Sequence, residues 1–248
     1  DAAVRGSDHV INCVGVLHEA GRNTFDAVQD FGARAIAEAC RNAGVKLTHI
    51  SAIGADSESA SSYAQSKAKA ENAILSLLPD AVIMRPSVIF GPGDSFLNLF
   101  AGLVRTFPVL PLGGAGARFQ PVYVQDVADV VAEALVRPDA AGLTCDLAGP
   151  TVYTLAELVA YVARLTGRST RIVPLSEPLA LLQAAVLERL PGPLMSRDNV
   201  RSMRADNITG GPPQPWGRTP TALETVVPRW LGRANRRGHF DAFRKPRP

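Results

Sequence analysis

Tyr63 and Lys67 are the residues whose types and spacing could do chemistry in this sequence. Four positions apart on a helix, they lie one turn apart on the same face. A lysine ammonium held beside a phenol favours the phenolate and lowers the tyrosine pKa, so the hydroxyl could act as an acid or base near neutral pH. Tyr63, Lys67, Ala70, Ile74 and Leu77 form one stripe at helical spacing, which predicts an inward-facing pair on a helix running to about Leu78. Lysine is a common residue, so the pair takes its weight from the strands around it.

Residues 9–14 are a short, nearly continuous apolar run ending at Gly15, the pattern of a strand covered on both faces. Residues 24–43 carry Phe25, Val28, Gly32, Ile36, Ala39 and Ala43 at helical spacing, and Gly44 supplies a stop. Residues 47–51 are expected as a second strand, followed by a serine-rich loop and the Tyr63 helix. Residues 81–85 form a third strand, closed by Pro86. Strand, helix, strand, helix, strand is the rhythm of a parallel α/β sheet with right-handed crossovers. Ligands in such sheets sit beyond the carboxyl ends of the strands, and Gly15, Ser51, Tyr63, Pro86 and Ser87 all fall at or just after that edge.

Beyond Phe90 the chain changes character. A turn-rich connection (residues 90–94) precedes an apolar helix over 96–107, and 108–116 reads as loop. Residues 119–124 are strand-like, with Asp126 as the N-cap of a helix through Val136. A strand over 143–147 follows. Thr154 and Glu157 have capping-box spacing for a helix ending at Gly167. A short strand at 171–174 and helices over 177–190 and 197–205 come next. A second box, Thr221 with Glu224, is expected to open the last helix, which ends near Leu231. Trp216 and Trp230 read either as core of this region or as partner-facing anchors.

The 248 residues, 46% hydrophobic and 20% charged, suit a globular protein with a full core. The net charge of +3 is too small to argue for nucleic acid, and no aromatic-plus-basic platform stands out. Arg229, Arg233, Arg236, Arg237, Arg244, Lys245 and Arg247 against Asp241 make the end of the chain basic, either as a solvated tail or as a peripheral contact with an acidic partner or anionic lipid. Cys13, Cys40 and Cys145 read as buried free thiols in a reducing compartment. The four histidines lack ligand-like spacing, so no metal is expected. No apolar run is long enough to span a bilayer.

Together these residues resemble the extended short-chain dehydrogenase/reductase superfamily, with its Rossmann core and small C-terminal lobe. Tyr63 and Lys67 match its Tyr-x-x-x-Lys pair. Asn12-Cys13-Val14-Gly15 is similar to the strand end near the cofactor's adenosine half. Arg85-Pro86-Ser87-Val88-Ile89-Phe90-Gly91-Pro92 is similar to the segment lining the nicotinamide, and Tyr123-Val124-Gln125-Asp126 to the second-lobe signature. Ser51-Ala-Ile-Gly-Ala-Asp56, the Arg85 block, Phe119-Gln-Pro-Val-Tyr-Val124 and Thr219-Pro-Thr-Ala-Leu-Glu224 resemble more narrowly the atypical group containing the alpha-subcomplex subunit 9 of respiratory complex I and its bacterial relatives.

That resemblance implies a Rossmann-like parallel sheet with helices on both faces, a partial NAD(P)-binding domain over 1–150 (second-lobe residues entering after 90), and a mostly helical C-terminal lobe with a basic tail over 151–248. It implies Tyr63, Lys67 and Ser51 as catalytic positions. Cys13, Val14, Gly15, Ser51, Tyr63, Lys67, Pro86, Ser87, Val88, Ile89 and Phe90 are implied as cofactor contacts. NADP(H) is implied ahead of NAD(H), with binding possible to lose in the sequence as given. Complex I subunits are implied as partners, in the bacterial cytoplasm or at the cytoplasmic face of the inner membrane, on the matrix side if eukaryotic.

Two departures bear on function. No G-x-G-x-x-G loop follows a first strand, and the family's first three strands would precede Asp1, so the chain is expected to be N-terminally truncated, or else a compact remnant with an exposed edge strand. Ala52 stands where active relatives place a hydroxyl, and nothing in the spacing selects Ser51, Ser57, Ser59, Ser61 or Ser62 as its substitute. A Tyr-Lys pair without that hydroxyl lacks part of the stabilisation that hydride transfer requires. An accessory or assembly role with a structural cofactor is therefore expected first, and an active reductase or epimerase on a nucleotide sugar or similar carbonyl second.

Overall fold

The computed structural model describes residues 3–189 and 195–232. The chain opens with β1 (His9–Asn12). A π-helical turn (Asp26–Phe31) then runs directly into α1 (Gly32–Ala43), which Gly44 ends at φ 65°, a left-handed conformation suited to glycine. β2 (Lys46–Ile50), α2 (Ser62–Leu77) and β3 (Val82–Pro86) follow. Next come β4 (Ile89–Phe90), α3 (Ser95–Thr106), β5 (Val109–Leu112), β6 (Arg118–Phe119), β7 (Val122–Tyr123) and α4 (Val124–Val136). β8 (Thr144–Leu147), β9 (Tyr153–Thr154), α5 (Leu155–Thr166) and β10 (Arg171–Pro174) precede α6 (Glu177–Leu187), α7 (Arg197–Ser202), α8 (Leu223–Val226) and α9 (Pro228–Leu231).

The main sheet has the order β1-β2-β3-β8 and is parallel throughout. The α/β, Rossmann-like reading of the sequence thus holds. β3 shows why residues 82–84 are an unbroken apolar run, before Arg85 turns its guanidinium to Glu71. Ile83 faces α1 and α2 with Ala37, Cys40, Leu47 and Ile74, while Val82 and Met84 face α4 with Val127, Val130 and Leu147. A strand covered on both sides favours apolar residues at successive positions. β1 is an outer strand, paired on one side with β2.

A further core joins α3, β5, α5, α8 and α9 through Phe90, Leu97, Phe100, Leu158, Val162 and Leu223. Trp230 packs against it, whereas Trp216 packs against the α4 side of the main sheet, with the Arg137 guanidinium 4.7 Å above its ring.

Several local expectations need correction. Residues 109–112 form a strand because β10, far along the chain, pairs with it in parallel. Asp126 lies inside α4, whose N-cap is Tyr123; its carboxylate accepts from the Thr221 amide at 2.6 Å and hydroxyl at 2.8 Å. Thr221 is therefore spent on Asp126, Glu224 takes the Tyr153 hydroxyl at 2.6 Å, and the expected capping box does not form. Cys13 is exposed, not buried, because it lies beyond the last paired residue of β1. The Thr154–Glu157 box is present as expected. From Arg233 onward the basic tail lies outside the described residues.

Candidate functional site

The site is built on α2. Ser61 is its N-cap, accepting from the Ala64 amide, and the chain enters helical geometry at Ser62. A second cap comes from α7: the Asp198 carboxylate accepts from the Ser61 hydroxyl (2.8 Å), the Ser62 amide (2.7 Å) and the Tyr63 amide (3.1 Å). A carboxylate is favourable there because the first-turn amides have no helical partner and the dipole is positive.

From this anchored turn Tyr63, Lys67 and Glu71 project at intervals of four, so they stack along one face. The Tyr63 ring meets Phe25 edge-on, with centroids 5.9 Å apart. Lys67 is buried; its Nζ donates to the Ile50 carbonyl at 3.1 Å and sits 6.0 Å from the Tyr63 ring centroid. Glu71 is also buried. It accepts from Arg85 Nε at 3.0 Å and 3.1 Å, from the other end of that guanidinium, and from the Ser51 hydroxyl.

The electrostatics follow from burial. Desolvation pushes the Tyr63 phenol up to about 12. This is opposite in direction to the lowering expected from a neighbouring lysine. The ammonium is committed to the Ile50 carbonyl, so loss of water around the ring dominates. Burial also brings Lys67 down to about 8, opposed by Glu71. His49 on β2 falls to about 3 through burial and the nearby Lys67 charge, and is therefore neutral at ordinary pH.

The loop after β1 is held onto this row. Asn12 Nδ2 donates to His49 Nδ1 at 3.0 Å, and Asn12 Oδ1 accepts from the Val14 amide at 3.1 Å. His49 Nε2 is buried without a hydrogen-bond partner among the described residues. Gln29, carried by the π-helical turn, donates to the Val16 carbonyl at 2.5 Å and accepts from Ser66 of α2 at 2.8 Å. Gly15 lies so close that a Cβ there would be 3.3 Å from Lys67 Nζ.

The structure thus brings Gly15, Ser51, Tyr63 and Lys67 together, with Cys13 and Val14 exposed on the adjoining loop. The Pro86–Phe90 segment is divided. Pro86 ends β3, and Ser87 is buried with its hydroxyl donating to Asn207 Oδ1 at 2.6 Å. The Val88 amide donates to the same oxygen at 3.1 Å. Ile89 packs against the α4-side core, and the Phe90 ring lies inside the core around α3 and α5. Asn207 also donates to the Ile53 carbonyl at 3.0 Å, tying the loops after β2 and β3 together.

Sequence reasoning missed Glu71, His49, Gln29, Asp198 and Asn207. Glu71 could have been found, since it continues the four-residue spacing of Tyr63 and Lys67. Asp198 and Asn207 carry no local signal, because their partners lie more than 100 positions away. Among the described residues no group of three His, Cys, Asp or Glu side chains is placed to hold a metal ion.

The arrangement can present an ammonium and a neutral phenol, one helical turn apart, to hydroxyl-bearing groups at the carboxyl edge of the sheet. Comparisons with known proteins agree with this fold. Over 180 residues the chain is 41% identical to the Mus musculus protein named NADH dehydrogenase (ubiquinone) 1 alpha subcomplex subunit 9, mitochondrial, covering 71% of this chain and 47% of that protein. It is 33% identical over 191 residues to the ceramide reductase of Caulobacter vibrioides, covering 76% of this chain and 59% of that one. The chain spans about half the length of the curated subunit 9 relatives it matches. A dTDP-4-dehydrorhamnose reductase from Bacillus anthracis, solved in complex with NADP, shares the fold at 19% identity and TM-score 0.56, over 68% of this chain and 66% of that one. Residues 17–216 match the RmlD substrate binding domain. On the span of that match, the chain belongs to the RmlD substrate binding domain family of short-chain dehydrogenase/reductase-like proteins.

Proposed function

We propose that this chain forms the ribose- and nicotinamide-facing part of a protein that holds NADP(H), in preference to NAD(H), as a structural group, and that it serves as an accessory or assembly subunit of respiratory complex I. Three features suit the dinucleotide's reactive end. Gly15 leaves room beside Lys67, the buried His49 Nε2 lacks a partner among the described residues, and Cys13 to Gly15 are exposed at the sheet's carboxyl edge. Lys67 would hold ribose hydroxyls, and Cys13, Val14 and Gly15 would offer backbone contacts. When bound, the dinucleotide supplies hydride chemistry.

The observation that carries the structural role is the engagement of Ser51. Its hydroxyl donates to Glu71, Ala52 has none to offer, and the Tyr63 phenol is pushed up to about 12. A carbonyl substrate at this edge would find the Ser51 hydroxyl already engaged and no readily ionised phenol. The identity to subunit 9 sequences supports the complex I role, at the cytoplasmic or matrix face of the membrane.

The identity to a ceramide reductase supports a second reading, a carbonyl reductase using Tyr63 as proton donor. Full-length protein separates the two. The first expects retained nicotinamide dinucleotide after gel filtration, co-purification with the respiratory complex, and no oxidation of added NADPH. Steady turnover of a carbonyl substrate, abolished by Tyr63→Phe, would establish the reductase instead.

A further inference from the structure

The sequence of α6, Glu177-Pro-Leu-Ala-Leu-Leu-Gln-Ala-Ala-Val-Leu187, is apolar almost all the way round. One stripe is used inside the protein. Ala180 and Ala184 are fully buried, and Ala180 sits so close to Gly113 that a Cβ there would lie 2.7 Å from its own. The opposite stripe is bare: Leu179, Leu182 and Val186 are 53%, 63% and 57% exposed. At 100° per residue these three fall within an arc of about 60°. A helix apolar on both sides is normally covered on both sides.

The charges beside this stripe that lack an ion-pair partner among the described residues have one sign. Glu177 is held by Arg204 and Glu188 by Arg197, so the carboxylates at both ends of the helix are neutralised. Arg189, which continues the bare stripe, makes no ion pair among the described residues, and neither do Arg168 and Arg171 just before and within β10. All three arginines are exposed. Val109 and Val173, on the paired strands β5 and β10, are exposed as well, and Gln183 of α6 donates to the Pro111 carbonyl of β5 at 3.3 Å.

We propose that the outer face of α6 is a docking surface for an anionic lipid bilayer, with Leu179, Leu182 and Val186 entering the headgroup–acyl boundary and Arg168, Arg171 and Arg189 meeting the phosphates. Apolar side chains bordered by unneutralised arginines match such an interface. A neutral protein partner would not call for that charge. The helix, about 16 Å long, is too short for a hydrocarbon core of about 30 Å, so it lies in the interface and does not cross it. No described helix is long and apolar enough to cross a membrane.

Flotation of the full-length protein with phosphatidylcholine vesicles, with and without phosphatidylglycerol, tests this surface. Leu182→Gln with Val186→Gln, and separately Arg168→Gln with Arg171→Gln and Arg189→Gln, change only exposed side chains, and circular dichroism checks the fold. The expected result is salt-sensitive binding to anionic vesicles, weakened about tenfold or more by the apolar pair and about tenfold or more by the arginine triple. Absence of flotation overturns the proposal. Flotation unchanged in both α6 variants also overturns it, placing the lipid contact elsewhere in the chain. Loss of self-association or of a co-purifying protein in the apolar variant, with vesicle binding intact, overturns it in favour of a protein partner.

Discussion

Replacing Lys67 by methionine should stabilise this protein at neutral pH and remove a specific part of its pH dependence. Lys67 titrates at about 8 in the fold against 10.5 for a free lysine. That difference corresponds to about 3 kcal/mol of cost for carrying the charge while buried, with the attraction of Glu71 already included. Between pH 8 and 10.5 the unfolded chain binds more protons at this position than the folded one, so its contribution to stability rises with pH across that window. Above 10.5 the cost is gone, and below 8 it is present in full. Methionine has similar length and no charge, but it leaves the Ile50 carbonyl without its donor, a loss of about 1 kcal/mol. The net expectation at pH 7 is a gain of about 2 kcal/mol. Urea unfolding of wild type and Lys67→Met at pH values on both sides of the window measures the difference directly. Cys145, held at about 11, and Tyr63, at about 12, titrate alike in both proteins and cancel in the subtraction. A variant whose stability difference from wild type stays constant from pH 7 to 10.5 would show that Lys67 is not held as a desolvated charge, and the electrostatic account of the site would fail with it.

Glu71→Gln leaves the Arg85 guanidinium without its carboxylate. Because Arg85 retains 34% side-chain exposure, the loss should be about 2–3 kcal/mol, less than for a fully buried pair, read from the urea midpoint. Asp198→Ala should cost about 1–2 kcal/mol and speed amide exchange at Ser62 and Tyr63, since both amides lose their acceptor; unchanged exchange there would remove Asp198 as the anchor of α2. Gly149→Ala should lower stability by about 3 kcal/mol, because the new Cβ would lie 2.0 Å from the Pro121 carbonyl oxygen; a thermal midpoint within a degree or two of wild type would contradict it.

The sequence by itself determined much of what rests on neighbours along the chain. Tyr63 and Lys67 share a face because helical spacing requires it, and Val82, Ile83 and Met84 of β3 are apolar in succession because both faces of the strand are covered. Gly44 and the Thr154–Glu157 box mark helix ends through bonds spanning a few residues. Only the tertiary structure could decide what each polar group is spent on. Residues 109–112 are a strand because β10 lies alongside them, and Asp126 and Thr221 serve each other instead of capping helices. Ser51 turns to Glu71, Ser87 turns to Asn207, and Asp198 reaches the start of α2 from α7. The Tyr63 pKa moved opposite to its sequence-based expectation for the same reason. Spacing places an ammonium near a phenol, but burial fixes how much water surrounds the ring, and here desolvation outweighs the neighbouring charge.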